Sequence, residues 1–349
     1  NKGFEYEGII KGATVTAGGT WSVGGAMSQA KAYGMGVGDK SAALAVGGAP
    51  AVWPAPAVGN ADVGRTEEYD GSSWSEAPDN VTARNFGSAT GTQNDALIIG
   101  GFLPPAWYGV STGATETYDG TSFSEVNDLN QARRATTGAG TSTNSSLAYG
   151  GYQDSAPINP GFSPIMQRMT EEWNGTNWSE VNDLPANVRR GNGGGTVNAA
   201  IWYGGRGSVG CTFHYNGTNW SEGGTNHRNE CNVDGGGAQN DAISAGSSYN
   251  TYTATTQIYD GTTWSAANDR INAIGDGAVG VNQGKASTAI IFGGDGPTYV
   301  PYAAKTCTEE WNGGAGGTFS AGLVSADNLR GDATGFSGSL DFAGAVSSS

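Results

Sequence analysis

Histidine is nearly missing from this chain: only His214 and His227 occur in 349 residues. Copper sites want imidazole ligands, so a copper centre has little to be built from. Cysteine is almost as scarce. Cys211, Cys231 and Cys307 are too few for a disulfide framework, and an odd count leaves at least one unpaired. Three free thiols are expected, with a Cys211–Cys231 bridge as the alternative. Positive charge is also short. Seventeen Lys and Arg face 32 Asp and Glu, a net charge of −15. That excludes the phosphate-neutralising surface of a nucleic-acid binder and suits a soluble, mutually repelling surface protein. No run of 18 apolar residues occurs, so no membrane span is expected. Long Leu- or Ala-rich helical periods are absent too.

What is abundant is glycine, 60 residues of it, interleaved with Trp, Tyr, Phe and Val. It follows no Gly-X-Y period, which excludes collagen, and it is too rich in aromatics for a flexible linker. The glycines mark a repeat instead. In residues 170–205, TEEWNGTNWSEVNDLPANVRRGNGGGTVNAAIWYGG, an aromatic precedes an Asn-Gly turn and a second aromatic. A polar link, an Arg pair, a run of small residues and a Gly-Gly pair follow. The first aromatic recurs at Tyr6, Tyr69, Tyr118, Trp173, Tyr215, Tyr259 and Trp311. The second recurs at Trp21, Trp74, Phe123, Trp178, Trp220, Trp264 and Phe319, each followed by Ser. Gly-Gly recurs at Gly47-Gly48, Gly100-Gly101, Gly150-Gly151, Gly204-Gly205 and Gly293-Gly294. The period of about 50 residues falls in the range of propeller blades.

Each unit reads as four short strands. Asp-Gly or Asn-Gly between two aromatic segments is a strong hairpin signal, so the two aromatics mark strands c and d. The small residues at 135–140 read as inner strand a, and 146–149 as strand b. The pattern resembles the kelch repeat, with its hydrophobic run, Gly-Gly, Tyr, short turn and Trp. That resemblance spans nearly the whole chain and implies a β-propeller of four-stranded blades around a channel. Seven copies predict a single all-β domain over 1–349 with seven blades. The closing blade would join two N-terminal strands at 4–23 to two C-terminal strands at 334–346, which would remove exposed sheet edges. Residue 1 is Asn rather than Met, so a processed chain or part of a longer one is expected.

Function is expected on one face. In such a blade the b–c and d–a connections share a face, and the c–d turns on the other are short, as at Asp119-Gly120 and Asp260-Gly261. The sequons at Asn174, Asn177, Asn216 and Asn219 read best as hairpin turns. The b–c loops 49–65, 102–114, 152–169 and 295–306 are long, dissimilar and rich in proline. They carry Trp53, Trp107, Tyr108, Phe162, Tyr299 and Tyr302, candidate contacts for a partner protein or glycan. The d–a links carry a cation in every copy: Lys31, Arg84, Arg133, Arg189, Arg228, Arg270 and Arg330, with Arg134 and Arg190 beside two of them. These could form a cationic ring at a channel mouth. They could instead pair with nearby acids, among them Glu68, Glu116, Glu172 and Glu310.

Catalytic motifs are weak. Galactose oxidase shares the kelch-type propeller, but no Tyr–Cys arrangement matches its copper site here. The turn motif departs from the sialidase Asp-box, because Asp and Gly are adjacent. Gly275, Gly277 and Gly280 spell GxGxxG on an expected inner strand, without the helix a dinucleotide site needs. The expectation is therefore a non-enzymatic binding propeller without cofactor. The wording TEEWNGTNWSEVNDL and TETYDGTSFSEVNDLNQARR also resembles kelch-like structural proteins of tailed bacteriophages. That resemblance implies a virion-surface or extracellular role in capsid decoration, a fibre or a tail, with other surface proteins, host glycan or further copies of the chain as partners. A secreted lectin is the alternative, and an oxidase or glycosidase the next.

Overall fold

The structure is a computed structural model that describes residues 19–49, 64–103, 110–154, 165–206, 210–224, 233–247, 251–280, 285–296 and 304–313. These form six four-stranded antiparallel sheets arranged as the blades of a β-propeller. The first blade runs outward through Met35–Asp39, Ala42–Val46, Thr66–Tyr69 and Trp74–Ala77. The next four repeat that order, with inner strands Ser88–Thr92, Thr137–Ser142, Arg189–Thr196 and Asp234–Ala238. A short Tyr152–Gln153/Ile165–Met166 ribbon is added beside the third. Among the described residues no helix is long and apolar enough to cross a membrane.

The closing blade corrects the sequence reading. Ala278–Gly280, Ile290–Phe292 and Thr308–Asn312 supply its strands a, b and c, and Thr20–Val23 adds itself as strand d. Trp21 pairs with Trp311 in register. The ring thus closes three-to-one, with six blades among the described residues, and not two-to-two with seven. The inner strand Ala278–Gly280 packs beside both Asp234–Ala238 and Met35–Asp39, which leaves no gap for another inner strand. The physical reason is that Trp311 meets the second aromatic it needs at the far end of the chain. Most residues of the expected seventh blade, 4–18 and 334–346, lie outside the described residues, as does Phe319.

The core sits between blades. Six apolar clusters each join two neighbours, including Ala43 and Tyr69 of the first blade with Ile290 and Phe292 of the sixth. A recurring bond adds direction. The indole N–H of the outer-strand Trp donates to a Thr hydroxyl on strand c of the preceding blade. The pairs are Trp74–Thr308 (2.9 Å), Trp178–Thr115 (3.2 Å), Trp220–Thr170 (3.0 Å), Trp264–Thr212 (2.9 Å) and Trp21–Thr256 (3.0 Å). The second blade has Phe123 at that position, and the hydroxyl of Thr66 is left buried without a partner.

The Gly-Gly pairs end strand b where it meets the next link. Gly101 has φ +123°, and a Cβ there would lie 2.7 Å from the carbonyl oxygen of Asn85, so glycine is required. On the opposite face the c–d turns are uniform. Asp70, Asp119, Asn174, Asn216 and Asp260 each accept the N–H groups of the residues two and three positions on. These are Asx turns. The carboxyl of Asp70 is held down to about 2 by the N–H of Ser73 and by Ser72.

Candidate functional site

The cations of the d–a links do not form a ring at the mouth. Arg84 pairs with Glu116, Arg133 with Glu171 (2.8 Å) and Lys31 with Glu67 (3.3 Å), all buried. Arg270 pairs with Asp234 at 2.8 Å and approaches Glu309 at 3.6 Å. Burial pushes the Lys31 ammonium below its ordinary value, against the pull of Glu67. Each glutamate lies two residues before the first aromatic, on strand c, and also accepts backbone N–H groups of its own blade's link. Val81 and Thr82 donate to Glu116, Asn130 to Glu171, and Ile271 and Asn272 to Glu309. A doubly used buried carboxylate is an architectural device that fixes the link. The residue directly before the aromatic faces another way: Glu68 and Glu310 accept from the hydroxyls of Tyr118 and Tyr69 in neighbouring blades.

Arg189 departs from the pattern. The residue aligned with Arg133 in the fourth blade is Val188, and Phe213 stands where Glu171 stands. Both are buried in one apolar cluster. The fourth blade has replaced its ion pair with apolar packing, an exchange that is often neutral in stability. Arg189 is one position further on, half-buried, with its guanidinium on the Tyr152 ring. Arg228, Arg330, Trp53, Trp107, Tyr108, Phe162, Tyr299 and Tyr302 lie outside the described residues.

On the axis is a cavity of about 140 Å³, walled by the small residues of the inner strands. At its mouth five of the six inner strands have one residue in the left-handed conformation at or just before their start: Tyr33 (φ 60°), Phe86 (54°), Ala135 (49°), Arg190 (55°) and Asp276 (53°). None of these is glycine, although each non-glycine residue there carries backbone strain on the order of 1 kcal/mol. The backbone repeats while the side chains do not, so the rim presents different chemistry from each blade.

That chemistry divides by sign. On one side, Arg189 and Arg206 are cross-strand partners. Tyr152 is flanked by the guanidinium groups of Arg134 (4.6 Å) and Arg189 (4.8 Å), and Arg190 lies 5.1 Å from the Phe86 ring. Arg134 also bonds Asp154 at 2.7 Å. On the other side are Asp234, Asp276 and Asp295. Asp295 accepts from Tyr252 (3.0 Å) and Tyr33 (3.3 Å) through Oδ2, while its Oδ1 is buried without a partner. Burial lifts the Asp295 carboxyl to about 7, helped by the charge of Asp276. Burial likewise lifts Asp234 to about 7, against the attraction of Arg270. Burial opposes the charge of Arg190, yet Asp276 and Tyr152 hold its pKa above the ordinary value.

Sequence reading singled out Arg189 but passed over Tyr33, Tyr152, Arg206, Asp276 and Asp295. The signal was available: Tyr152, Arg206 and Asp295 each follow a Gly-Gly pair directly. His214 has an architectural role, bonded at 3.0 Å to the hydroxyl of Tyr259 in the next blade. Among the described residues no group of His, Cys, Asp and Glu side chains could hold a metal ion. Cys211 and Cys307 are free thiols.

The fold and the rim together define a β-propeller. No protein-family model matches the chain, and no curated protein matches it. Solved structures do. One of them, titled "Structure of YjhT", is similar with a TM-score of 0.62 at 9% identity, over 80% of this chain and 95% of that one. At that identity the likeness speaks to the fold alone.

Proposed function

We propose that the chain is a non-enzymatic, kelch-type binding propeller of a virion or cell surface, such as a capsid decoration, fibre or tail component. It contacts protein or host glycan through the face that carries the b–c loops and the d–a links. One observation carries the choice of face. The opposite face is closed by near-identical Asx turns, whereas the channel rim holds Tyr33, Phe86, Arg190 and Asp276 on one repeated backbone position. Diverse side chains on a rigid scaffold are the usual form of a recognition surface. The net charge of −15 supports an exposed, self-repelling protein.

Mass spectrometry of purified particles, with cosedimentation of the isolated chain, tests the reading. Enrichment on particles is expected, and absence from both particle and cell-surface fractions refutes it. A glycosidase is the second reading, favoured by the Asp295 carboxyl, lifted to about 7 and hydrogen-bonded to Tyr33 of the channel rim. A chromogenic glycoside screen in which Asp295→Asn abolishes turnover would establish it over the first.

A further inference from the structure

The arginines on one side of the rim are an anomaly in this chain. It holds 32 acids against 17 cations. Lys31, Arg84, Arg133 and Arg270, the cations at the repeated link position in four other blades, are each given a buried carboxylate. Arg189 is not. Among the described residues it makes no ion pair, and its Nε is buried without an acceptor. Its cross-strand partner is Arg206, and like charges directly opposite are destabilising. Arg190 follows it in sequence, held in the left-handed region that costs a non-glycine residue energy. Arg134 shares the Tyr152 ring with it. The same blade has shed the internal ion pair of its neighbours, with Val188 and Phe213 in its place. Its arginines are therefore not needed to hold the link.

We infer that Arg189, Arg190 and Arg206, with Tyr152 as the floor and Arg134 at the edge, form a site for a multivalent oxyanion, a sulfate or phosphate group. A guanidinium offers a planar fork of donors to an oxyanion, and several arginines on one patch suit an anion of charge near −2. Asp295, beyond Tyr33, bounds the site on the acidic side, and Asp276 keeps Arg190 charged at its margin. Crowding by Arg206, Arg190 and Arg134 adds to burial in depressing the pKa of Arg189, a load that a bound anion would lift. The inference rests on the reading of this face as the contacting one for the origin of the group: an ester on a surface polymer, or the free ion.

The test is calorimetric titration of the full chain with inorganic sulfate, inorganic phosphate, dextran sulfate and uncharged dextran at low ionic strength. Saturable binding of at least one charged probe is expected, weakened at least ten-fold by Arg189→Gln and unchanged by Lys285→Gln, which removes an exposed charge away from the rim. Arg189→Lys keeps the charge but not the fork and should fall between. Binding of the inorganic ions identifies the free ion as sufficient; binding of dextran sulfate alone identifies the polymer ester. No saturable binding of any charged probe, or undiminished binding in a folded Arg189→Gln/Arg190→Gln variant, overturns the site. Cosedimentation of the same variants separates the two readings. A chain that binds particles but no oxyanion refutes the site alone, and one that binds oxyanion but never a particle or cell surface refutes the surface role alone.

Discussion

Phe123→Trp is expected to stabilise this protein, although it enlarges a side chain packed against the Tyr118 ring. Five blades close the gap to their predecessor with an indole N–H on a threonine hydroxyl, at 2.9 to 3.2 Å. The second blade lacks the donor, and Thr66 Oγ1 is buried with nothing to bond. An unsatisfied buried hydroxyl costs roughly 1–3 kcal/mol, and a made hydrogen bond contributes about 1 kcal/mol net. Phe123 is only half-buried, so the larger ring can extend toward solvent without the overpacking penalty of a closed core. The net gain should be about 1–2 kcal/mol. It would be read as a higher urea midpoint at unchanged m. The control is Thr66→Val, which removes the orphan and should itself stabilise by about 1 kcal/mol or more. In that background the gain from Phe123→Trp should shrink by about 1 kcal/mol, the coupling term of the cycle. A loss of stability on Phe123→Trp, or an equal gain with and without Thr66, would show that the indole–hydroxyl bond is not what joins the blades.

Further outcomes follow from the buried charges and the loops. Glu171→Ala strands the Arg133 guanidinium and should cost about 3–5 kcal/mol, whereas Arg133→Met/Glu171→Leu should cost markedly less, as in the blade that carries Val188 and Phe213. Additive single and double costs in urea melts would contradict the pairing. The folded pKa of Asp295, about 7, lies above its unfolded value of about 3.9. The native state therefore binds the extra proton, and this group's contribution to stability is full below about pH 4, declines to about pH 7 and is flat above. Asp295→Asn should remove that decline, seen as a difference between the wild-type and variant stability profiles; identical slopes would refute it. Trp107→Ala should abolish binding on a glycan array if the loops hold sugar, while leaving the melting temperature unchanged.

The repeat was legible because every blade solves the same wedge. Two aromatics fill it, a tight Asx turn joins their strands, and small residues crowd the axis, so Tyr118, Phe123 and Gly138 announce their places in any copy. The blade count was misread for a related reason. Each first aromatic was matched with the next second aromatic along the chain, which sends Trp311 to Phe319, whereas in space its partner is Trp21. The site was half legible. Arg189 is placed by its distance from the preceding second aromatic, but so is Arg133, and one position in register separates a buried ion pair from a half-buried rim.

Sequence by itself determined the class of fold, the strand order within a blade and the face on which variation is concentrated. All three depend on local pattern: turn chemistry, aromatic spacing and glycine placement. Tertiary structure alone decided that six blades close the described ring, that most link cations are neutralised within their own blades, and that arginines and aspartates divide the rim. Closure is set by the summed angles between blades, and burial of a charge by which strand lies across from it. Neither quantity is carried by any single repeat.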